Sequence, residues 1–153
     1  FLELKGQVLL ESGRPGEALD PLRRATALTN SEPLIASMFG HALIATEDPA
    51  NYEEAERVLR AAVGRDRRNP FAWYQLGVVY AARGDTARAR LATAEQQVMS
   101  GQYALALRSA QAAEGGLERG TPDWIRAQDI GMQARALLER QCEMERGRNC
   151  APR

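Results

Sequence analysis

Small residues return along this chain at a spacing near 34, and that recurrence restricts the possible folds more than any other feature. Gly6, Gly40 and Gly77 each sit midway along an apolar, helix-like run, separated by 34 and then 37 residues. Ala18, Ala55 and Ala89 are separated by 37 and then 34. The Gly-to-Ala interval is therefore 12, then 15, then 12 residues, which places a three-residue insertion in the turn Glu47-Asp48-Pro49-Ala50-Asn51. Leu22/Leu59 and Ala25/Ala62 keep the same 37-residue offset. A repeat of this length is one helix pair that cannot bury its apolar face alone, so neighbouring pairs must complete the core. The chain is thus expected to be an all-α, right-handed α-solenoid of about eight antiparallel helices.

Helices are expected near 1–12, 15–28, 32–46, 51–65, 70–83, 86–99, 102–115 and 122–146. Punctuation supports the boundaries: Asn69 can cap a helix that begins at Pro70, Thr121 can do so before Pro122, and Asp85 follows the turn glycine Gly84. Pro21 falls inside the second helix and is expected to kink it or delay its regular start. The array changes phase after its third unit. Gly101-Gln102-Tyr103-Ala104-Leu105-Ala106 echoes Gly84-Asp85-Thr86-Ala87-Arg88-Ala89 after 17 residues, half a repeat, so helix 86–99 is expected to end one unit and begin the next. Residues 1–120 would carry about three units plus this half-repeat. Residues 121–153 would form a long capping helix, polar toward its end, and a tail.

Composition fits one extended domain. The 153 residues are 44% hydrophobic, and 20 Lys plus Arg balance 20 Asp plus Glu, so no global field favours nucleic acid or an anionic membrane. No apolar run approaches the ~20 residues of a membrane span. Phe1 to Leu10 reads as a repeat helix with no start Met, cap or preceding turn, and the expectation is a chain that begins inside a longer protein.

The best-formed unit resembles the tetratricopeptide repeat (TPR) family. Its pattern W-x2-L-G-x2-Y, then a turn Gly, then Ala, is met by Trp73, Leu76, Gly77, Tyr80, Gly84 and Ala89. The first unit has Leu2 at the Trp position and the second has Ala36. Small residues such as Gly77 and Ala89 let helix backbones approach, while Trp73, Leu76 and Tyr80 fill the space around them.

Chemistry has little to work with. His41 is the only histidine, so no two-His metal site can be built. The glycines, including Gly115-Gly116, fall at helix ends or packing positions rather than in a phosphate loop. Glu53-Glu54 and Glu143/Glu145 read as solvated helix faces, and His41 as a structural or groove-lining residue. The chain itself is expected not to be an enzyme and to hold no cofactor. Cys142 and Cys150 either form a disulfide, which requires an oxidising compartment, or remain two thiols.

Recognition is the remaining class. In TPR arrays the first helix of each pair lines a concave groove. The outward positions here would be Glu3, Gln7, Leu10 and Glu11, then Leu34, Ser37, Met38, His41 and Ile44, then Phe71, Tyr74, Gln75, Val78 and Ala82. The candidate peptide-binding set is Gln7, Met38, His41, Phe71, Tyr74, Gln75 and Val78. Chaperone-binding TPR domains place Lys and Asn here to clamp a terminal carboxylate, and these positions hold neither. The surface suits an extended or helical apolar segment of a protein, with Met38, Phe71 and Tyr74 as anchors.

A second resemblance concerns Leu2 to Gln7, Glu11 to Arg14, Ala89 to Glu95, Gly101 to Tyr103 and Trp124 to Ile130. Their order is similar to the C-terminal TPR region of bacterial periplasmic zinc metallopeptidases related to the β-barrel assembly-enhancing protease. That family holds zinc on an N-terminal His-Glu-x-x-His helix, and none of those residues stands here. The resemblance implies a non-catalytic, periplasmic part of such a protease, engaging the parent's own protease domain or outer-membrane assembly components in protein quality control. The alternative is a free-standing, cytoplasmic TPR scaffold that assembles a multiprotein complex.

Overall fold

Helix ends follow from side chains that satisfy the orphan N–H groups of a first turn. The computed structural model describes residues 1–146. Asn69 Oδ1 accepts from the Ala72 N–H, Asp85 Oδ1 from Arg88 N–H and Thr121 Oγ1 from Trp124 N–H. Glu32 adds a fourth cap by accepting from Ile35 N–H. The helices are α1 (Leu2–Glu11), α2 (Pro15–Leu28), α3 (Pro33–Ala45), α4 (Tyr52–Arg65), α5 (Pro70–Ala82), α6 (Thr86–Met99), α7 (Tyr103–Gly116) and α8 (Pro122–Arg146). No strand occurs among the described residues. The inserted residues form a short 3-10 turn, Pro49–Asn51, capped by Asp48. Pro21 delays nothing: α2 starts at Pro15 and runs through it, with Pro21 itself buried.

The chain divides into two compact units, Phe1–Gly84 and a second that begins at Asp85. In the first, α1 packs on α2, α2 on α3, α3 on α4 and α4 on α5, while α3 also touches α1 and α5. Being covered on several sides, α3 is apolar nearly all round, and Ile35, Ala36, Phe39, Ala42 and Leu43 are buried. Helix α4 covers one side only. It buries Ala55, Leu59, Ala62 and Val63, an i, i+4, i+7, i+8 stripe.

The recurring glycines are where these hairpins interlock. A Cβ placed on Gly6 would lie 2.4 Å from Leu22 Cγ, and one on Gly40 would lie 2.5 Å from Leu59 Cγ. Each leucine is fully buried, filling the notch its glycine leaves. The three-residue insertion leaves this contact intact because the 3-10 turn absorbs it.

Polar clips fix the same unit from outside. Arg23 holds both oxygens of Glu54 at 2.9 and 3.1 Å and lies 5.4 Å from the centre of the Phe39 ring, tying α2 to α3 and α4. The turn into α3 places Asn30 and Ser31 at φ 52° and 60°, left-handed backbone that costs non-glycine residues about 1 kcal/mol each. Arg65 Nη1 donates to both of their carbonyls, at 2.6 and 2.9 Å, and holds that turn.

In the second unit α6, α7 and α8 pack on one another. Its core is Leu91, Ala94, Ala110, Ala113, Ala127 and Ile130, with Val98 and Leu117 at the margin. Alanines at most of these positions bring the helix axes close. Glu95, 2% exposed, receives the Arg126 guanidinium on both oxygens at 2.6 and 2.9 Å, and Arg88 reaches Asp123 at 2.9 Å. The hydrogen bonds it donates to Glu95 hold Arg126 above the usual guanidinium range, against the opposing effect of its burial.

Candidate interaction groove

One concavity of the first unit, of about 580 Å³, gathers most of the outward positions expected from the sequence. Helix α1 contributes Glu3, Gln7, Leu10 and Glu11, α3 contributes Leu34, Ser37, Met38 and His41, and Phe71 closes it from the start of α5. The α1 residues recur every three or four positions because only such spacing keeps side chains on one helix face. Leu34 is 66% exposed and Phe71 46% exposed, so both present apolar surface to an occupant.

Asn69 is the lining residue that the positional reading missed. Its role as a cap was legible from Asn69-Pro70, and the same side chain reaches further. While Oδ1 caps α5, Nδ2 donates to Ser37 Oγ at 3.1 Å, and that hydroxyl donates to the Pro33 carbonyl at 2.6 Å. This buried chain of bonds ties the first turn of α5 to α3. It seats the Phe71 ring 5.5 Å from the His41 ring, tilted by 43°, a favourable aromatic spacing. An asparagine does therefore stand in the groove, contrary to the expectation of none. With its amide engaged on both sides it offers no clamp for a carboxylate.

His41 carries an orphan. Its Nδ1 is buried with no hydrogen-bond partner. A proton on Nδ1 would bury an N–H without an acceptor, so the proton is placed on Nε2, where His41 can donate at the groove it lines. Gln7 Nε2 donates to Glu11 Oε1 at 2.9 Å and steadies that carboxylate at the α1 edge.

Three of the seven candidate residues fall outside the lining. Tyr74 is exposed on α5 but belongs to no wall of this groove. Val78 is half-buried. Gln75 is only 5% exposed, because α5 packs on both α3 and α4 and turns that face of the helix inward. Ile44 and Ala82 likewise lie outside it. A second hollow, of about 360 Å³, is lined by Glu53, Glu56, Arg57, Arg60 and Arg83, among which Glu56 pairs with Arg60 and Arg83.

Among the described residues no group of three or more His, Cys, Asp or Glu side chains could hold a metal ion. No described helix is long and apolar enough to cross a membrane. Cys142 sits half-buried on α8; Cys150, its partner in the disulfide alternative, lies outside the described residues.

No family model matches the chain, and no curated protein matches it either. Among solved structures it is similar to the crystal structure of MamA, a TPR-like helical protein, with a TM-score of 0.60 and 20% identity over 93% of this chain and 79% of that one. The chain therefore has a TPR-like, all-α fold.

Proposed function

We propose that this chain is a protein-interaction module whose groove between α1, α3 and Phe71 receives an apolar segment of a protein partner. The observation that carries this reading is the retention of Leu34 and Phe71, large and substantially exposed, in a concave site. Concave apolar surface of this kind is the default candidate for a binding site.

The finer reading makes the module the non-catalytic C-terminal part of a periplasmic zinc metallopeptidase acting in outer-membrane protein assembly and quality control. Zinc would then belong to the parent's protease domain, and the partner would be that domain or an outer-membrane assembly component. Its support is the resemblance of five short segments. Two of these, Ala89 to Glu95 and Trp124 to Ile130, supply the Glu95–Arg126 pair and four residues of the second unit's core, so packing accounts for part of their likeness. A free-standing scaffold uses the same groove in the same way.

Two experiments separate these statements. Immobilised chain is expected to retain a protein partner that Met38→Ala and Phe71→Ala lose without loss of helicity, whereas Tyr74→Ala, outside the lining, keeps it; retention by Met38→Ala and Phe71→Ala defeats the groove reading. Sequencing the parent gene tests the protease reading, which requires an export signal and a His-Glu-x-x-His segment upstream.

A further inference from the structure

Charge along the groove says more about what enters it. We infer that the occupant is a peptide segment that couples an apolar anchor to lysine or arginine, an inference that rests on the groove reading above.

Glu3 and Glu11 both line the groove, and none of the residues lining it is a lysine or arginine. The whole chain balances its charges, so this acidic edge is a local property. Among the described residues neither carboxylate takes part in an ion pair. Other acids of the unit do pair with its arginines, Glu17 with Arg14, Glu54 with Arg23 and Glu56 with Arg83, whereas Glu3 and Glu11 are left open to an outside cation.

Position gives the recognition its geometry. Glu3 and Glu11 are eight residues apart on α1, about 12 Å at 1.5 Å per residue. That distance corresponds to about two turns of a bound helix or about four residues of an extended strand. Leu34, Met38 and Phe71 form the facing apolar wall, and the His41 Nε2–H adds a donor suited to a peptide carbonyl. A segment with an aliphatic or aromatic side chain on the α3 side and cations on the α1 side satisfies both walls at once. An acidic segment would face two like charges, which raises the barrier to encounter and weakens the complex.

A random peptide library displayed on phage, panned on the full chain, tests this. Enriched sequences should carry Lys or Arg beside Leu, Met or Phe, with two cations spaced as above. Fluorescence anisotropy of the synthesised peptides should show affinity falling by roughly tenfold in Glu3→Gln/Glu11→Gln. The salt dependence should flatten in the same variant, with helicity unchanged. Met38→Ala should weaken cationic peptides and their glutamine-substituted versions alike. If enriched peptides are neutral or acidic yet still depend on Met38, the cationic inference fails and the groove reading stands. Peptides indifferent to Met38→Ala, or no enrichment, overturn both. Self-association abolished by Met38→Ala would make a second copy the occupant and overturn the inference.

Discussion

Replacing Gly40 by alanine should destabilise the first unit although alanine is the better helix former. The substitution gains about 1 kcal/mol of helix propensity. Against that, the new methyl would lie 2.5, 2.6 and 3.1 Å from Cγ, Cδ2 and Cδ1 of Leu59, where carbon atoms rest at about 3.5–4.0 Å. The nearest of these is the branch carbon, anchored through Cβ to α4, so no rotation of a side-chain tip clears it. Leu59 is fully buried and has no solvent to move into. Overpacking of this kind costs about 1–3 kcal/mol, and a collision with a branch carbon belongs at the top of that range, so the net change is about 1–2 kcal/mol of lost stability. Gly64 on α4 provides the control, because a Cβ there meets nothing within 4 Å; Gly64→Ala should stabilise by up to about 1 kcal/mol. Leu59→Ala alone should cost about 2–5 kcal/mol. Combined with Gly40→Ala it should cost less than the sum by at least about 1 kcal/mol, since the methyl then occupies vacated space. Urea unfolding in a Trp124→Phe background, followed by Trp73 fluorescence, reports on this unit. Gly40→Ala as stable as Gly64→Ala, or strict additivity in the double variant, would refute the interlocking account.

Two further substitutions probe the polar contacts. Arg126→Met strands the Glu95 carboxylate, 2% exposed, and should cost about 3–5 kcal/mol, while Glu95→Met/Arg126→Met should recover most of it. Urea unfolding followed by Trp124 fluorescence measures both, and a single-variant loss below about 1 kcal/mol would mean that solvent already screens the pair. Asn69→Asp keeps the cap on α5 but removes the donor to Ser37, whereas Asn69→Ala removes both; thermal melts should rank alanine below aspartate by about 1 kcal/mol, and equal losses would remove the cap from the account.

Much of the fold was legible because this repeat writes its geometry in small residues and caps. Gly6 and Gly40 return once per hairpin since a leucine from the next helix needs that notch, and Asn69-Pro70 and Thr121-Pro122 mark helix starts since their side chains replace missing backbone partners. Pro21 did not delay the start of its helix, because α2 already begins at Pro15 and carries the proline in its interior. The groove was legible on α1 and α3, where outward positions spaced three or four apart carried through to the lining. It was less so on α5. That helix contacts two neighbours, so its buried arc takes in Gln75, and a residue's spacing from Phe71 no longer tells which side it faces. The reach of Asn69 to Ser37 spans 32 positions, and no local pattern encodes a bond of that range. Glu3 and Glu11 were visible as outward positions, but that neither pairs with an arginine among the described residues emerges only once the ion pairs are known.

The 3-10 turn at Pro49–Asn51 separates two kinds of spacing that a repeat protein must otherwise keep equal. Three residues entered the chain there, yet Gly40 meets Leu59 as Gly6 meets Leu22, and the groove-lining residues of α3, from Leu34 to His41, all precede the turn in sequence. The site behaves as an expansion joint. A protease-cleavable sequence or a fluorescent-dye tag grafted between Glu47 and Asn51 would lengthen the surface while leaving the hairpin register and the groove walls where they are, which makes it the natural place to label this molecule while watching what binds it.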